Sequence, residues 1–102
     1  MTPHERYEAA VWALRALPFP VLAKSIGEFA LYDALLAGLA DRVAQGHLVE
    51  ASEVPANDEE TVSHVSMLRK KSNPSPEEMA FLEYFDLLGK IRSVLMLPII
   101  GH

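Results

Sequence analysis

The chain contains no cysteine. Disulfides, thiolate zinc sites, iron–sulfur clusters and cysteine nucleophiles are therefore excluded, and the absence fits a cytoplasmic setting. Glycine is sparse: Gly27, Gly38, Gly46, Gly89 and Gly101 are scattered and form no phosphate-cradling loop. No Gly-x-Ser-x-Gly elbow is present. Ser63 and Ser66 flank His64, but close neighbours on a helix point in different directions and do not assemble a nucleophile with its base. Positive charge is in short supply, with nine Lys plus Arg against fourteen Asp plus Glu and a net charge of −5. Nucleic acids and anionic lipid surfaces are bound through Lys and Arg, so this balance argues against both. No apolar run reaches the roughly 18–20 residues of a membrane span. Residues 9–23 are apolar enough to imitate a signal peptide. The preceding Glu5 and Glu8 against Arg6, the interruption at Arg15, and Pro18 and Pro20 oppose that reading.

What is present is hydrocarbon at helical spacing. Half of the 102 residues are apolar and 23% are charged, which suits one globular domain spanning 1–102. There are no repeats, no low-complexity tract and no linker. The pattern predicts an all-α protein, a compact bundle of four main helices at about 3–17, 26–45, 58–71 and 76–96, with room for one extra short helical turn.

The first helix is announced by Thr2, Pro3 and Glu5, a capping box with proline at the first helical position. Tyr7, Ala10, Val11, Leu14 and Leu17 form its stripe, which Trp12 should extend. Pro18 and Pro20 end it, and Phe19 between them should plug the core. For the second helix, Ser25 and Glu28 repeat the capping-box spacing. Phe29, Tyr32, Leu36, Leu39 and Val43 make one continuous seam. Leu31 and Leu35 form a second apolar row, and Ala30, Ala34 and Gly38 a row of small residues. The only charge between Phe29 and Ala40 is Asp33. A helix this apolar should be buried on most sides, as the centre of the fold, as a subunit interface, or as both. Gly46 supplies its stop. The segment 47–56 reads as a loop with one helical turn at most.

The third helix should start after Asn57 as its cap and bury Val62, Val65 and Leu68, with Met67 at the edge. Its acidic first turn (Asp58, Glu59, Glu60) and basic last turn (Arg69, Lys70, Lys71) complement the helix dipole. Ser75-Pro76-Glu77-Glu78 then combines cap, first-position proline and the box glutamate. The fourth helix carries Phe81, Tyr84 or Phe85, Leu88, Ile91 and Leu95 on one seam, broadened by Leu82, Leu87 and Val94. Gly89 would allow a close crossing with the small row of the second helix. Pro98 stops it, and the apolar tail Leu97 to Gly101 should fold back or meet a partner.

Chemistry-bearing constellations are few. Glu60 and His64 share a helix face, but a di-iron bundle needs Glu-x-x-His from two helices, and that motif does not occur here. One carboxylate and one imidazole fall short of a metal set. His4, His47 and His102 suggest no site. Leu22-Ala23 and Ile26-Gly27 have the Ala-to-Gly spacing of a helix-turn-helix. Its reading helix, Phe29 to Gly38, would then contain no Arg, Lys, Asn or Gln to read bases or grip phosphates. Asp33 invites two readings, a bond to a tyrosine hydroxyl or helix cap across the packing, or a polar contact fixing dimer register.

No catalytic, cofactor-binding or metal site is expected, and no small-molecule ligand is inferable. The expected function is a non-enzymatic protein–protein interaction module of adaptor, assembly-chaperone or acidic-inhibitor type, self-associating as a homodimer or bound to another protein. Partner contacts would fall on Phe29, Tyr32, Asp33, Leu36, Leu39, Leu95, Met96, Ile99 and Ile100. The alternatives are a small transcription regulator with a degenerate helix-turn-helix around Leu22–Gly38 and a helical accessory subunit of a multi-chain enzyme.

Overall fold

A computed structural model describes residues 3–96, apart from the side chains of Pro3, His4 and Arg6. The chain is all-helical: α1 spans Pro3–Arg15, α2 Phe29–Ala44, α3 Glu59–Arg69 and α4 Pro76–Leu95. Two 3-10 turns, Leu22–Lys24 and Ala51–Glu53, sit in the connections, and no strand occurs among the described residues. The four-helix bundle read from the pattern is the fold.

Its centre differs from the expectation. The helix on which the others converge is α4, not α2. α4 is the longest, and its seam Phe81, Tyr84, Leu88, Ile91 and Leu95 is buried along the whole length. α1 lies along α4, and the turn at Leu22–Lys24, α2 and α3 pack on the same helix. Pro18 and Pro20 prevent α1 from running on, and Phe19 between them packs edge-on against the Tyr84 ring at 5.5 Å. Phe29 is fully buried at the hub, 5.1 Å from the Phe81 ring and 6.1 Å from those of Tyr84 and Phe85.

Two helix ends follow local chemistry. In the capping box of α4, Glu78 N–H donates to Ser75 Oγ and Ser75 N–H donates to the Glu78 carboxylate. α2 ends at Gly46 with φ of 86°; Gly46 N–H reaches the Val43 carbonyl and His47 N–H the Arg42 carbonyl, a Schellman closure. The loop after it is tied at both flanks. Arg42 meets Glu53 at 2.7 Å, and Arg92 Nε donates to the Pro55 carbonyl at 2.7 Å.

Other local expectations are corrected. α2 starts at Phe29 rather than near Ile26, because Gly27 takes φ of 48° and interrupts the chain's helical path. Ser25 does not form the anticipated box; its hydroxyl bonds the Leu22 carbonyl. Asp58, not Asn57, caps α3. The buried stripe of α3 is Thr61, Val65 and Leu68, while Val62 and Met67 are exposed. Trp12 does not extend the buried face of α1 and is 75% exposed. A Cβ placed on Gly89 would meet open space, so no close helix crossing occurs there. The small row of α2 is turned to solvent instead of toward α4.

Candidate functional site

The residues expected to touch a partner separate into three groups. Phe29, Tyr32, Leu36, Leu39 and Leu95 are buried within the chain's own core. They are corrected from partner contacts to internal packing: the seam of α2 is satisfied by α4 and leaves no surface to offer. Met96 is 42% exposed at the C-terminal cap of α4. Ile99 and Ile100, with the rest of the apolar tail, lie outside the described residues.

Asp33 is half-buried, and the hydroxyl of Tyr84 donates to its Oδ1 at 2.7 Å. This is the bond across the packing that one reading of the sequence anticipated. Burial, then the hydrogen bond to Asp33 and its charge, push the Tyr84 phenol well above its ordinary range, so it stays a donor at neutral pH. Tyr32 is also raised by burial, opposed by the charge of Arg92 and by contact with Asn57. The Tyr32 hydroxyl and Asn57 Oδ1 are buried with no hydrogen-bond partner among the described residues.

A polar node that the sequence did not reveal joins α2 to α3. Asp58 accepts from Thr61 N–H and Thr61 Oγ1 in its own helix, and from Glu28 N–H at the start of α2. One carboxylate thus serves two helix N-termini that are 30 residues apart. Gly27 sits against this node. A Cβ there would collide with Asp58 Oδ2 and stand 2.6 Å from Thr61 Oγ1.

These caps have a pH consequence. The hydrogen bond to Lys71 and then the Ser75 N–H pull the Glu78 carboxyl from its ordinary 4.5 down to about 2. The Thr61 hydroxyl lowers Asp58, and the Glu50 N–H with Arg42 lowers Glu53. A depressed carboxyl stabilises the fold above its unfolded value and loses that contribution as pH falls through its folded value. The thermal midpoint is therefore expected to hold above pH 4.5 and to decline between there and about 2. Glu78→Gln should flatten part of that decline in a pH series of thermal melts; an unchanged slope would remove Glu78 from the account.

The remaining surface decides what the chain can engage. Among the described residues no group of His, Asp and Glu is placed to hold a metal ion. His64 and Glu60 therefore assemble nothing larger on α3. The basic end of α3 is largely spent internally: Arg69 meets Asp86 at 2.6 Å and Lys71 meets Glu78 at 2.8 Å. Ahead of the turn at Ser25–Gly27 stands only a three-residue 3-10 turn, with α2 following it.

Exposed large apolar side chains occur on every helix, Trp12 on α1, Val62 and Met67 on α3 and Met79 on α4 among them, and α2 carries an adjacent pair. Leu31 and Leu35 are 56% and 49% exposed one turn apart, bordered by exposed Ala34 and Gly38. Being apolar on most sides, α2 was expected to be covered on most sides. It is covered on one side, and the Leu31–Leu35 row is open. Periodicity finds this row but cannot say which of two apolar rows faces the core.

The fold and this surface define a helical-bundle protein with an uncovered apolar helix face. Compared with known proteins, the chain matches no family model, no curated protein and no solved structure. None of the described helices is long and apolar enough to cross a membrane.

Proposed function

We infer that the protein is a non-enzymatic protein–protein contact module that pairs with a second copy of itself through the outer face of α2. The observation that carries this reading is the exposure of Leu31 and Leu35 beside a row of small residues, Ala30, Ala34 and Gly38. Two such faces are self-complementary about a two-fold axis, the leucines of one helix lying over the small row of the other. The patch carries no charge, because Asp33 is the only charged side chain from Phe29 to Ala40 and is turned to Tyr84. An uncharged patch on a chain of net charge −5 suits a like-charged copy better than a basic partner. Gly38 adds support: a Cβ there would enter open space, so nothing within the chain requires a glycine.

Sedimentation equilibrium across a concentration series tests the reading. The native chain should approach twice the chain mass, and Leu31→Glu/Leu35→Glu should remain at the single-chain mass with its helical spectrum retained. At solvent-facing positions the two substitutions should alter monomer stability by no more than about 0.5 kcal/mol each. Gly38→Ala should strengthen the isolated helix by about 1 kcal/mol while weakening association. A native chain that stays single at every concentration, or a double variant that associates as the native chain does, contradicts the reading.

A further inference from the structure

α1 and α2 both rest near α4 yet barely pack on one another, which leaves a cleft of about 380 Å³ between them. Tyr84, Leu88 and Ile91 of α4 form its floor; Val11, Leu14 and Phe19 wall one side and Leu36, Ala37 and Ala40 the other. That volume lies within the range of small-molecule sites and is well short of a groove for a partner helix.

The charge in the cleft identifies the ligand. Its ionisable side chains are Arg15, Asp41, Asp33 and Tyr84. Arg15 and Asp41 oppose each other at 4.0 Å and are both mostly exposed, so they sit at the mouth and offset one another. Asp33 is the half-buried carboxylate that remains. Its Oδ1 takes the Tyr84 hydroxyl at 2.7 Å, while Oδ2 has no partner among the described residues. An ionised carboxylate can accept about four hydrogen bonds, so beside its bond to the phenol Asp33 keeps acceptor capacity at Oδ2, where solvent reaches it. An anionic ligand would be repelled, and a neutral one would cover the charge without answering it. A protonated amine answers it with a charge-assisted bond. The broader hollow on the other flank of α1, about 960 Å³ along Ala9, Ala13 and Gly89, has no comparable group, because its Asp86 is paired with Arg69.

We propose that this cleft binds a small amphipathic amine, with the ammonium on Asp33 Oδ2 and the apolar body against Val11, Leu14, Leu36 and Leu88. The site is separate from the Leu31–Leu35 row and does not depend on self-association.

Calorimetric titration of the full chain with 4-phenylbutylamine, 4-phenylbutan-1-ol and 4-phenylbutyrate tests it. The amine should bind saturably, about tenfold or more tighter than the alcohol, with the acid weakest. Asp33→Asn keeps an acceptor for the Tyr84 hydroxyl, so the fold should persist while amine affinity drops about tenfold or more and alcohol affinity stays. Ala37→Phe should abolish binding of all three by filling the cleft. Leu31→Glu/Leu35→Glu should bind the amine as the native chain does. No saturable binding of the amine overturns the proposal, as does equal affinity for amine and alcohol on the native chain. Equal amine affinity for native and Asp33→Asn does so too. Should Asp33→Asn fail to fold, the amine-to-alcohol ratio on the native chain decides alone.

Discussion

Phe29→Ala should cost about 4 kcal/mol and leave a poorly folded chain, the largest effect of any single substitution expected here. Its ring is fully buried and lies within 6.1 Å of the rings of Tyr32, Phe81, Tyr84 and Phe85, so one side chain couples α2 to the central helix. Truncation removes the transfer energy of the ring and leaves a cavity walled by other rings, which are held by their own helices and collapse poorly. A domain of this length has a total stability of about 5–15 kcal/mol, so most of the margin disappears. Urea unfolding should show a midpoint shifted sharply down at an unchanged slope. A loss below about 1.5 kcal/mol would mean that the ring does not occupy the hub.

Gly27→Ala ranks second, at about 3 kcal/mol. Two costs combine. A φ of 48° is poorly tolerated by a residue with a Cβ, and the added carbon runs into Asp58 and Thr61. Asp58 cannot retreat without releasing the N–H groups of Glu28 and Thr61 that it caps. Gly46→Ala provides the comparison. Gly46 has φ of 86° with open space around it, so only the backbone cost, about 1 kcal/mol, applies. Chemical denaturation of the two variants side by side separates backbone strain from collision with the node. In an Asp58→Ala background the Gly27→Ala penalty should shrink, because the obstacle has gone. Equal penalties for Gly27→Ala and Gly46→Ala would contradict the node.

Much of the bundle is legible from local pattern alone. Ser75-Pro76-Glu77-Glu78 carries a complete cap within four residues, and Gly46 ends α2 where the seam stops. The Phe29–Val43 and Phe81–Leu95 seams are buried as their spacing requires. What resisted reading is non-local. Asp58 caps a helix that starts 30 residues earlier, and no spacing rule encodes such a bond. Thr61 replaces Val62 in the buried stripe because its hydroxyl is taken by Asp58, which lets a polar side chain sit at 0% exposure. Hydrophobicity alone would turn Trp12 inward, but Tyr7 and Ala10 are the buried residues of α1 and the indole is left exposed.

The same limit governs the candidate sites. The sequence marks α2 as apolar on more than one face without saying which row the rest of the chain covers. That depends on where α4 lies, and α4 covers the Phe29–Leu36–Leu39 seam while leaving Leu31 and Leu35 open. The cleft holding Asp33 is less legible still. It exists because α1 packs on α4 rather than on α2, a choice among helix pairings that no single helix pattern reveals.

Because the native chain has no thiol, single cysteines report directly on the two rows of α2. Maleimide labelling of Leu35→Cys and Leu36→Cys across a dilution series is the most direct measurement. At high dilution the thiol at 35 should react nearly as fast as a free thiol and slow as concentration rises, while the thiol at 36 should wait for unfolding at every concentration. Equal rates at the two positions, or a rate at 35 indifferent to concentration, would contradict a helix with one face for its own core and the other for a second copy.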